Sequence, residues 1–229
     1  MLGFGCAEGQ DYPALRARLV QEVDAMYAET RAETGLPAMS PAVRAALGKV
    51  ERHRLVPASQ ASSAYRNHPL PIGSGQTISQ PYIVALSTDL LNPRKEDSVL
   101  EVGTGSGYQA AVLAEVVKQV YSIELIAGLG QTAAARLAEM GYRNVEVRIG
   151  DGYAGWPEKA PFDGIVVTAA APHVPPALLE QVKPGGRMVI PLGGEGDIQY
   201  LKLLTRRADG GYDEKRVLPV RFVPLVPGK

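Results

Sequence analysis

The sequence is poor in the residues that form disulfides and bind metal ions. It has one cysteine, Cys6, which excludes an internal disulfide framework and a cysteine-rich metal site. Its three histidines, His53, His68 and His173, lack the spacing of metal ligands. We therefore expect a protein without a metal centre.

An excess of charge of one sign and a long apolar run are missing as well. Lysine plus arginine and aspartate plus glutamate number 24 each, so the formal net charge is zero. The basic surface of a nucleic-acid-binding protein is therefore not expected. No apolar stretch approaches the roughly 20 residues of a membrane-spanning helix. These absences leave a globular chain of 229 residues, which is long enough to bury a large core.

The first residues leave a question about processing open. Gly3-Phe4-Gly5-Cys6 is faintly similar to the end of a lipoprotein signal, but only five residues precede the cysteine and they form no apolar segment. As written, the segment is not an export signal, and we expect a cytoplasmic protein. A precursor trimmed upstream of Cys6 stays an alternative.

The most informative stretch is VLEVGTGSGYQ, Val99–Gln109. Apolar residues typical of a strand come first, and a run able to form a helix follows. Between them, glycine occupies every second position: Gly103, Gly105 and Gly107. A strand, a glycine turn and a helix entry bring main-chain N–H groups close to a cofactor in α/β enzymes. Glycine suits the turn because it accepts positive φ and carries no Cβ that would collide with a ligand.

Acidic residues decide between the cofactors that such a turn could bind. Glu101 directly precedes the turn, where its charge would repel a diphosphate and attract a cationic amino-acid group. The spacing G-x-G-x-G also differs from the G-x-G-x-x-G of NAD-binding proteins. We therefore predict S-adenosylmethionine rather than NAD.

Two further strand ends carry polar residues that suit a nucleoside. Glu124 lies about twenty residues after the first glycine, the spacing at which an acid binds a ribose diol. Asp151-Gly152 follows the next predicted strand, where an acid would face the adenine amino group. The predicted cofactor-binding residues are Glu101, Gly103, Thr104, Gly105, Ser106, Gly107, Glu124, Asp151 and Gly152.

Alternating strands and helices predict an α/β fold with a mostly parallel, twisted sheet and helices on both faces. The predicted strands are Ser98–Val102, Val120–Glu124, Val145–Ile149, Gly164–Val167 and Arg187–Pro191. The predicted helices between them are Tyr108–Val117, Leu129–Met140 and Pro176–Gln181. Two late β-rich stretches, Gln199–Thr205 and Tyr212–Val220, flank an Asp-Gly-Gly turn and predict an antiparallel hairpin at one edge.

The chain before the glycine motif is different in character. Helices are predicted over Ala14–Thr34, from Pro41 to Val50 and over Ile83–Leu91. From Ser59 to Pro81 the periodicity disappears, which indicates a long functional loop without structure of its own. We predict an N-terminal helical cap and substrate loop over residues 1–81 and a cofactor-binding core over 82–229, within one structural domain.

Several motifs together resemble one known family. They are PLPIGSGQTISQPYIVA (Pro69–Ala85), VLEVGTGSGYQAAVLA (Val99–Ala114), GDGYAGWPEKAPFDGIVVTAAA (Gly150–Ala171) and VRFVPLV (Val220–Val226). Over most of its length, from Pro41 to Pro227, the chain resembles the protein-L-isoaspartate (D-aspartate) O-methyltransferases. The resemblance implies the Rossmann-like fold of class I S-adenosylmethionine-dependent methyltransferases.

The resemblance also implies a reaction. The enzyme would transfer a methyl group from S-adenosylmethionine to the α-carboxyl group of L-isoaspartyl residues in damaged proteins and peptides, with D-aspartyl residues as a further candidate. S-adenosylhomocysteine would be the second product. The ester would close to a succinimide, whose hydrolysis returns part of the material to normal aspartate. A carboxylate is already ionised at neutral pH, so no general base is required.

By the same resemblance, Ser79 is the implied catalytic residue, and a carboxylate oxygen would accept a hydrogen bond from its hydroxyl. Thr77, Ile78 and Ser79 would bind the substrate, and Val223 would add main-chain hydrogen bonds to it. The partners would be isoaspartyl proteins and peptides, without nucleic acid or membrane, and a monomer is expected. The sequence departs from the family at Asn67, where an acid is usual.

Simpler interpretations of the same residues stay open. Ser79 could cap a helix that begins with Pro81. Glu101 could pair with a lysine at the strand end, and Asp151 could serve only to form a turn. A small-molecule methyltransferase on the same fold and a cofactor-binding scaffold without turnover are alternative functions.

Overall fold

The computed structural model describes residues 10–194 and 196–228. The segment around Cys6 lies outside them. Within the described residues, no helix combines the length and the apolar character needed to cross a membrane. The same residues contain no group of three or more histidine, cysteine, aspartate or glutamate side chains placed to hold a metal ion.

Two helices open the described chain. Helix α1 spans Tyr12–Thr34 and α2 spans Pro41–Lys49. Asp11 and Ser40 cap them, because each side chain accepts a hydrogen bond from a main-chain N–H of the first turn. Both predicted N-terminal helices are confirmed, with ends shifted by at most a turn.

The segment predicted as a loop over Ser59–Pro81 contains regular structure. It begins in a 3-10 helix, Ala58–Ser63, and continues in an antiparallel pair, β1 (Leu70–Gly73) and β2 (Gln76–Ile78). The prediction of a loop without structure of its own was wrong. Strands this short, rich in glycine and proline, show no alternation that a sequence pattern could detect. Helix α3, Pro81–Leu91, follows directly.

Seven strands form the central sheet. In chain order they are β3 (Ser98–Val102), β4 (Gln119–Glu124), β5 (Val145–Ile149), β6 (Phe162–Val167), β7 (Val182–Leu192), β8 (Gln199–Arg206) and β9 (Tyr212–Val220). Across the sheet their order is β5-β4-β3-β6-β7-β8-β9. Strands β3 to β7 pair in parallel, and β8 and β9 form the predicted antiparallel hairpin. The chain runs outward from β3 to β5 and returns to β6, so the strand order reverses between β3 and β6.

Helices cover both faces of this sheet. Those between the strands are α4 (Tyr108–Ala114), α5 (Ala127–Glu139) and α6 (Pro176–Glu180), with 3-10 helices at Gly152–Ala154 and Pro157–Lys159. Helix α3 packs on β6 and β7, and α1 and α2 pack on α3. Buried side chains alternate along each strand: Val99 belongs to the cluster beneath the N-terminal helices, whereas Leu100 belongs to the cluster on the opposite face.

Most element boundaries agree with the predictions, and two do not. Strand β7 begins at Val182 rather than Arg187, because the proline and two glycines at 184–186 weaken the strand signal without ending the strand. Helix α4 ends at Ala114 rather than Val117, because the chain turns there to enter β4. Neither difference moves a strand end that carries a predicted site residue.

Candidate active site

A cavity lies at the carboxyl ends of β3, β4 and β6, at the point where the strand order reverses. This is where open α/β sheets bind their ligands. The first cavity, about 790 Å³ including its open mouth, is lined by residues 76–79, 101–106, 123–126 and 223–226, with a few neighbours. It brings together most of the predicted residues: Thr77, Ile78, Ser79, Glu101, Gly103, Thr104, Gly105, Ser106, Glu124, Gly152 and Val223.

The glycine turn follows β3 as predicted. All three glycines have positive φ: 100° at Gly103, 51° at Gly105 and 86° at Gly107. A Cβ on Gly103 would lie 2.3 Å from Oγ1 of Thr168, whose hydroxyl donates to the Gly103 carbonyl at 2.6 Å. Any larger residue there would push the turn off the sheet.

Gly107 differs from the other two glycines in its position. It does not line the first cavity. A Cβ at this position would lie 3.1 Å from Leu137 of α5, so the glycine permits close packing of the turn on α5. Gly107 is itself in the left-handed conformation, directly before the first residue of α4. Its place in the structure is therefore explained by packing against α5, and its predicted cofactor contact stays a prediction.

Glu101 is a fully buried carboxyl group at the base of the first cavity. Its Oε2 accepts a hydrogen bond from the Ser122 hydroxyl, which lies 2.5 Å from Oγ1 of Thr104. Its Oε1 has no partner among the described residues. Burial raises the pKa of Glu101 to about 8, and the negative charge of Glu124 adds to the rise, while the Ser122 hydroxyl and the Ala110 N–H at the start of α4 oppose it. The alternative of a lysine partner was wrong, because its partner is Ser122.

Glu124 is the last residue of β4, and its side chain binds the glycine turn. Its Oε2 accepts from the Gly105 N–H at 2.7 Å, and its Oε1 accepts from the Ile126 N–H at 2.9 Å. The carboxylate therefore holds the glycine turn and the start of α5 together. Each oxygen keeps a second lone pair, so these hydrogen bonds are compatible with the predicted ribose contact.

Asp151 lies next to the first cavity but does not line it; its neighbour Gly152 does. The Asp151 side chain accepts a hydrogen bond from the Tyr153 N–H at 2.8 Å, as expected of a turn-forming residue. The turn interpretation is thus correct for one oxygen. A Cβ on Gly152 would lie 2.5 Å from Val102, so glycine is required for the turn to pack against β3.

Ser79 lies where the first cavity meets a second one. The second cavity, about 1020 Å³ including its open mouth, shares Thr77, Ser79, Thr168 and Val223 with the first. The alternative that Ser79 caps α3 was wrong, because Gln80 occupies the N-cap position. The Gln80 side chain makes no capping hydrogen bond either. The Ser79 hydroxyl is therefore not used as a cap.

Among the described residues, one main-chain group of Val223, its carbonyl, makes a hydrogen bond. Its carbonyl accepts from the Ala170 N–H at 2.8 Å, and the Leu225 N–H donates to the Ala170 carbonyl at 2.7 Å. The preceding residue is held by the Gln199 side chain, which accepts from the Phe222 N–H at 2.6 Å and donates to its carbonyl at 3.1 Å. The C-terminal segment is thus fixed beside both cavities.

Sequence reasoning missed the residues that hold the substrate loop and the C-terminal segment. Gln199 holds Phe222, and Asn67 accepts from the Tyr82 N–H of α3 at 3.0 Å. Arg52, in a 3-10 helix spanning Arg52–Leu55, donates to three main-chain carbonyls. Hydrogen bonds from a side chain to a distant main chain leave no periodic signal in the sequence. The departure at Asn67 was the one visible clue.

Comparison with known proteins adds a family to this geometry. The family model for protein-L-isoaspartate (D-aspartate) O-methyltransferase matches residues 24–229. A protein-L-isoaspartate O-methyltransferase 1 of Nitrosospira multiformis is 57% identical over 231 aligned residues, which cover 100% of this chain and 95% of that relative. The chain belongs to the protein-L-isoaspartate (D-aspartate) O-methyltransferase family. A protein-L-isoaspartate O-methyltransferase 2 of Syntrophobacter fumaroxidans is 56% identical and covers 97% of this chain and 90% of its own.

Two solved structures share the fold. A protein-L-isoaspartate O-methyltransferase matches with a TM-score of 0.79 at 27% identity, over 91% of this chain and 65% of that one. A Plasmodium falciparum protein in complex with S-adenosyl-L-homocysteine matches with a TM-score of 0.76 at 21% identity, over 95% of this chain and 99% of that one. The predicted class I methyltransferase fold is confirmed.

Family membership also fixes the reaction class. The enzymes of this family transfer a methyl group from S-adenosylmethionine to L-isoaspartyl residues of damaged proteins and peptides, and this chain is such a methyltransferase. The predicted activity and methyl donor are confirmed. The membership decides against the alternatives of a small-molecule methyltransferase and of a scaffold without turnover.

The site itself fits the methyl donor. The buried, unpartnered Oε1 of Glu101 is an acceptor that lacks a donor, which the ammonium group of S-adenosylmethionine would supply. Two carboxyl groups, those of Glu101 and Glu124, line the first cavity, and no lysine, arginine or histidine is among its described lining residues. A cation is the ligand that this charge distribution favours.

Proposed function

We propose that the two cavities divide the reaction between them. The first cavity would hold S-adenosylmethionine, with Glu101 at its ammonium group, Glu124 at its ribose and the Asp151-Gly152 turn at its adenine. The second would hold the peptide on either side of the isoaspartyl residue. The observation that carries this assignment is the position of Ser79, which lines both cavities at their junction.

The residues at the junction suit a carboxylate that needs only to be positioned. S-adenosylmethionine, when bound, supplies an electrophilic methyl group. The Ser79 hydroxyl would donate to one substrate oxygen and leave the other oriented towards the first cavity. Thr77 and Ile78 would border the substrate, and the Val223 main chain would pair with it. Because the substrate is already ionised, positioning rather than proton transfer would lower the barrier.

The peptide groove of this proposal has a mixed lining. Pro69, Ile83 and Phe222 are apolar, Thr77, Ser79 and Gln80 are polar, and the exposed Arg221 is cationic. Main-chain pairing with Val223 would make recognition tolerant of sequence. We extend the proposal to D-aspartyl residues as a second substrate.

The same proposal covers the state of the protein in the cell. We infer a cytoplasmic monomer that acts on proteins and peptides without nucleic acid. The balanced charge of the sequence supports this inference. The division into a cap over 1–81 and a core over 82–229 also stays a proposal; α3, which begins at Pro81, would join the two parts.

Methyl transfer to two matched peptides, one with L-isoaspartate and one with L-aspartate, tests the proposal when combined with one substitution. Ser79→Ala should lower kcat/KM for the isoaspartyl peptide about 10- to 100-fold, as expected for loss of a hydrogen bond to a charged group. Its affinity for S-adenosylhomocysteine should stay within about twofold by the same reasoning, because Ser79 faces the substrate. Ser62→Ala, at an exposed position outside both cavities, is the matched control. Equal loss of turnover and of cofactor affinity would contradict the division between the cavities.

A further inference from the structure

Arg52 is a charged residue that the reaction as proposed does not use. Its side chain is completely buried, in the short 3-10 helix that follows α2. Burial lowers the pKa of Arg52 to about 10, so the guanidinium stays charged at neutral pH. No carboxylate of the described residues lies within ion-pair distance of it; its partners are main-chain carbonyls and an aromatic ring.

One of those carbonyls belongs to Ser79, which lines both cavities, and the other two belong to Ala64 and His68, which precede β1. One nitrogen, Nη1, donates to the Ala64 carbonyl, and the other, Nη2, donates to the carbonyls of His68 and Ser79, each at 3.1 Å. These three residues lie on both sides of the β1–β2 pair. One guanidinium therefore joins the chain before β1, at Ala64 and His68, to the chain after β2, at Ser79.

The same group also reaches the cofactor side. The guanidinium carbon lies 5.2 Å from the centre of the Tyr108 ring, and Tyr108 begins α4 and lines the first cavity. This distance is typical of a cation–π contact. Arg52 thus contacts both Tyr108, which lines the first cavity, and Ser79, which lines both cavities.

A buried charge without a carboxylate partner is costly, and neutral donors could satisfy carbonyls at lower cost. Because a trans peptide directs its C=O and its N–H to opposite sides, fixing the Ser79 carbonyl also fixes the orientation of the Ser79–Gln80 peptide. We propose that Arg52 is a positioning residue, which holds the Ser79 main chain so that the Ser79 hydroxyl meets the substrate carboxylate. This inference rests on the proposed role of Ser79.

A double-mutant cycle tests it. Arg52→Lys keeps the charge but loses the fork that reaches three carbonyls. Alone, it should lower kcat/KM for the isoaspartyl peptide about tenfold, which is the loss of roughly one hydrogen bond to a charged group. Its affinity for S-adenosylhomocysteine should change by less than about twofold, since the first cavity keeps its own hydrogen bonds. Combined with Ser79→Ala, it should cause almost no further loss, because the hydroxyl that it positions is gone.

The cycle separates this inference from the function on which it rests. If Ser79→Ala alone leaves kcat/KM unchanged, the proposed role of Ser79 fails. If Ser79→Ala lowers kcat/KM and Arg52→Lys lowers it by the same factor in both backgrounds, only the positioning role fails. Thermal unfolding of all variants measures stability separately, because a purely structural role would destabilise both backgrounds equally without coupling to turnover.

Two controls keep the outcome clear. Arg54→Lys changes an exposed arginine of the same 3-10 helix, whose surface pair with Glu51 contributes little, and should leave kcat/KM unchanged. If Arg52→Lys folds poorly, single-turnover rates with saturating S-adenosylmethionine are measured instead, since bound ligand stabilises the folded state. A variant that stays unfolded even then would overturn the proposal, because Arg52 would be required for the fold rather than for Ser79.

Discussion

The two sides of the site are held in different ways. On the cofactor side the glycine turn is held at the strand ends of the sheet: the N–H groups of Gly103 and Thr104 both donate to the Ile123 carbonyl, at 2.8 and 3.1 Å, and the Glu124 carboxylate at the end of β4 accepts from the Gly105 N–H. On the substrate side, individual side chains hold irregular main chain. Arg52, Asn67 and Gln199 each bind carbonyl or N–H groups of segments outside the sheet.

The cofactor side and the substrate side should therefore respond differently to substitution. A site built on strand ends shares the stability of the sheet, so it should change only when the main chain itself is forced to move. A site held by single side chains should respond to each of them separately. Substitutions on the two sides should therefore separate cofactor binding from peptide binding.

The largest effect is expected from Gly103→Ala. The residue has φ of 100°, and an added Cβ would overlap Oγ1 of Thr168, so the turn must shift and the first cavity must change shape. Affinity for S-adenosylhomocysteine, measured by calorimetry, should fall more than about 100-fold, since both strain and overlap act at one turn. Gly128→Ala in α5, where an added Cβ meets no atom within 4 Å, should bind normally. Normal binding by Gly103→Ala would show that the turn is more plastic than the sheet suggests.

The next effect is a pH dependence of cofactor binding. Because burial raises the pKa of Glu101 to about 8, the carboxyl group of the free enzyme is mostly protonated at pH 7. A cationic ligand favours the ionised form, so binding at pH 7 should release close to one proton. Affinity should fall by up to about tenfold for each pH unit below 8 and should level off above 8.

Calorimetry in two buffers of different ionisation enthalpy measures the released proton directly. Glu101→Gln keeps the size of the side chain and cannot titrate, so its weaker affinity should lose the step near pH 8. Proton release that persists in Glu101→Gln would assign the titration to another group.

The substrate side should be sensitive to Gln199→Ala. The lost amide makes two hydrogen bonds to Phe222, and each contributes about 1 kcal/mol, so KM for the peptide should rise by up to about 30-fold. Affinity for S-adenosylhomocysteine should not change. Gln199→Glu keeps the acceptor and loses the donor, so its KM should lie between those of the wild type and of Gln199→Ala. Gln119→Ala, at the opposite end of the parallel strands, is the matched control. A fall in cofactor affinity without a rise in KM would remove the distinction between the two sides.

The same difference explains what could be predicted from the sequence. Glu101 and Glu124 follow strands whose apolar pattern is visible, so the strand ends locate them without a structure. Ser79 and Val223 were reached through family resemblance alone, because β2 is too short and the C-terminal segment too irregular to leave a pattern. The contact of Arg52 with Ser79 joins residues 27 positions apart, through a carbonyl that every residue carries. Sequence patterns report burial and periodicity, and neither records which main-chain group a side chain will meet.

The smallest effect is expected at Asn67, where the family usually has an acid. Its Oδ1 accepts from the Tyr82 N–H in the first turn of α3, and its Nδ2 lies 2.9 Å from the sulfur of Met26, a weak acceptor. Asn67→Asp would keep the acceptor and add a negative charge at a helix N-terminus, which stabilises by about 0.3–1 kcal/mol. The loss of a weak contact to sulfur is smaller. We therefore expect Tm to rise by about 1–3 °C, with kcat/KM within about twofold.

The opposite end of the same helix provides the control. Asn92 is exposed, follows Leu91 in the left-handed conformation and lies at the C-terminus of α3. Asn92→Asp makes the same chemical change where the helix dipole is negative, so Tm should fall. Shifts of opposite sign would show that the Asn67 side chain acts as a helix cap whose charge is adjustable. Shifts of the same sign would mean that the contact with Met26, rather than the helix, decides which residue this position prefers.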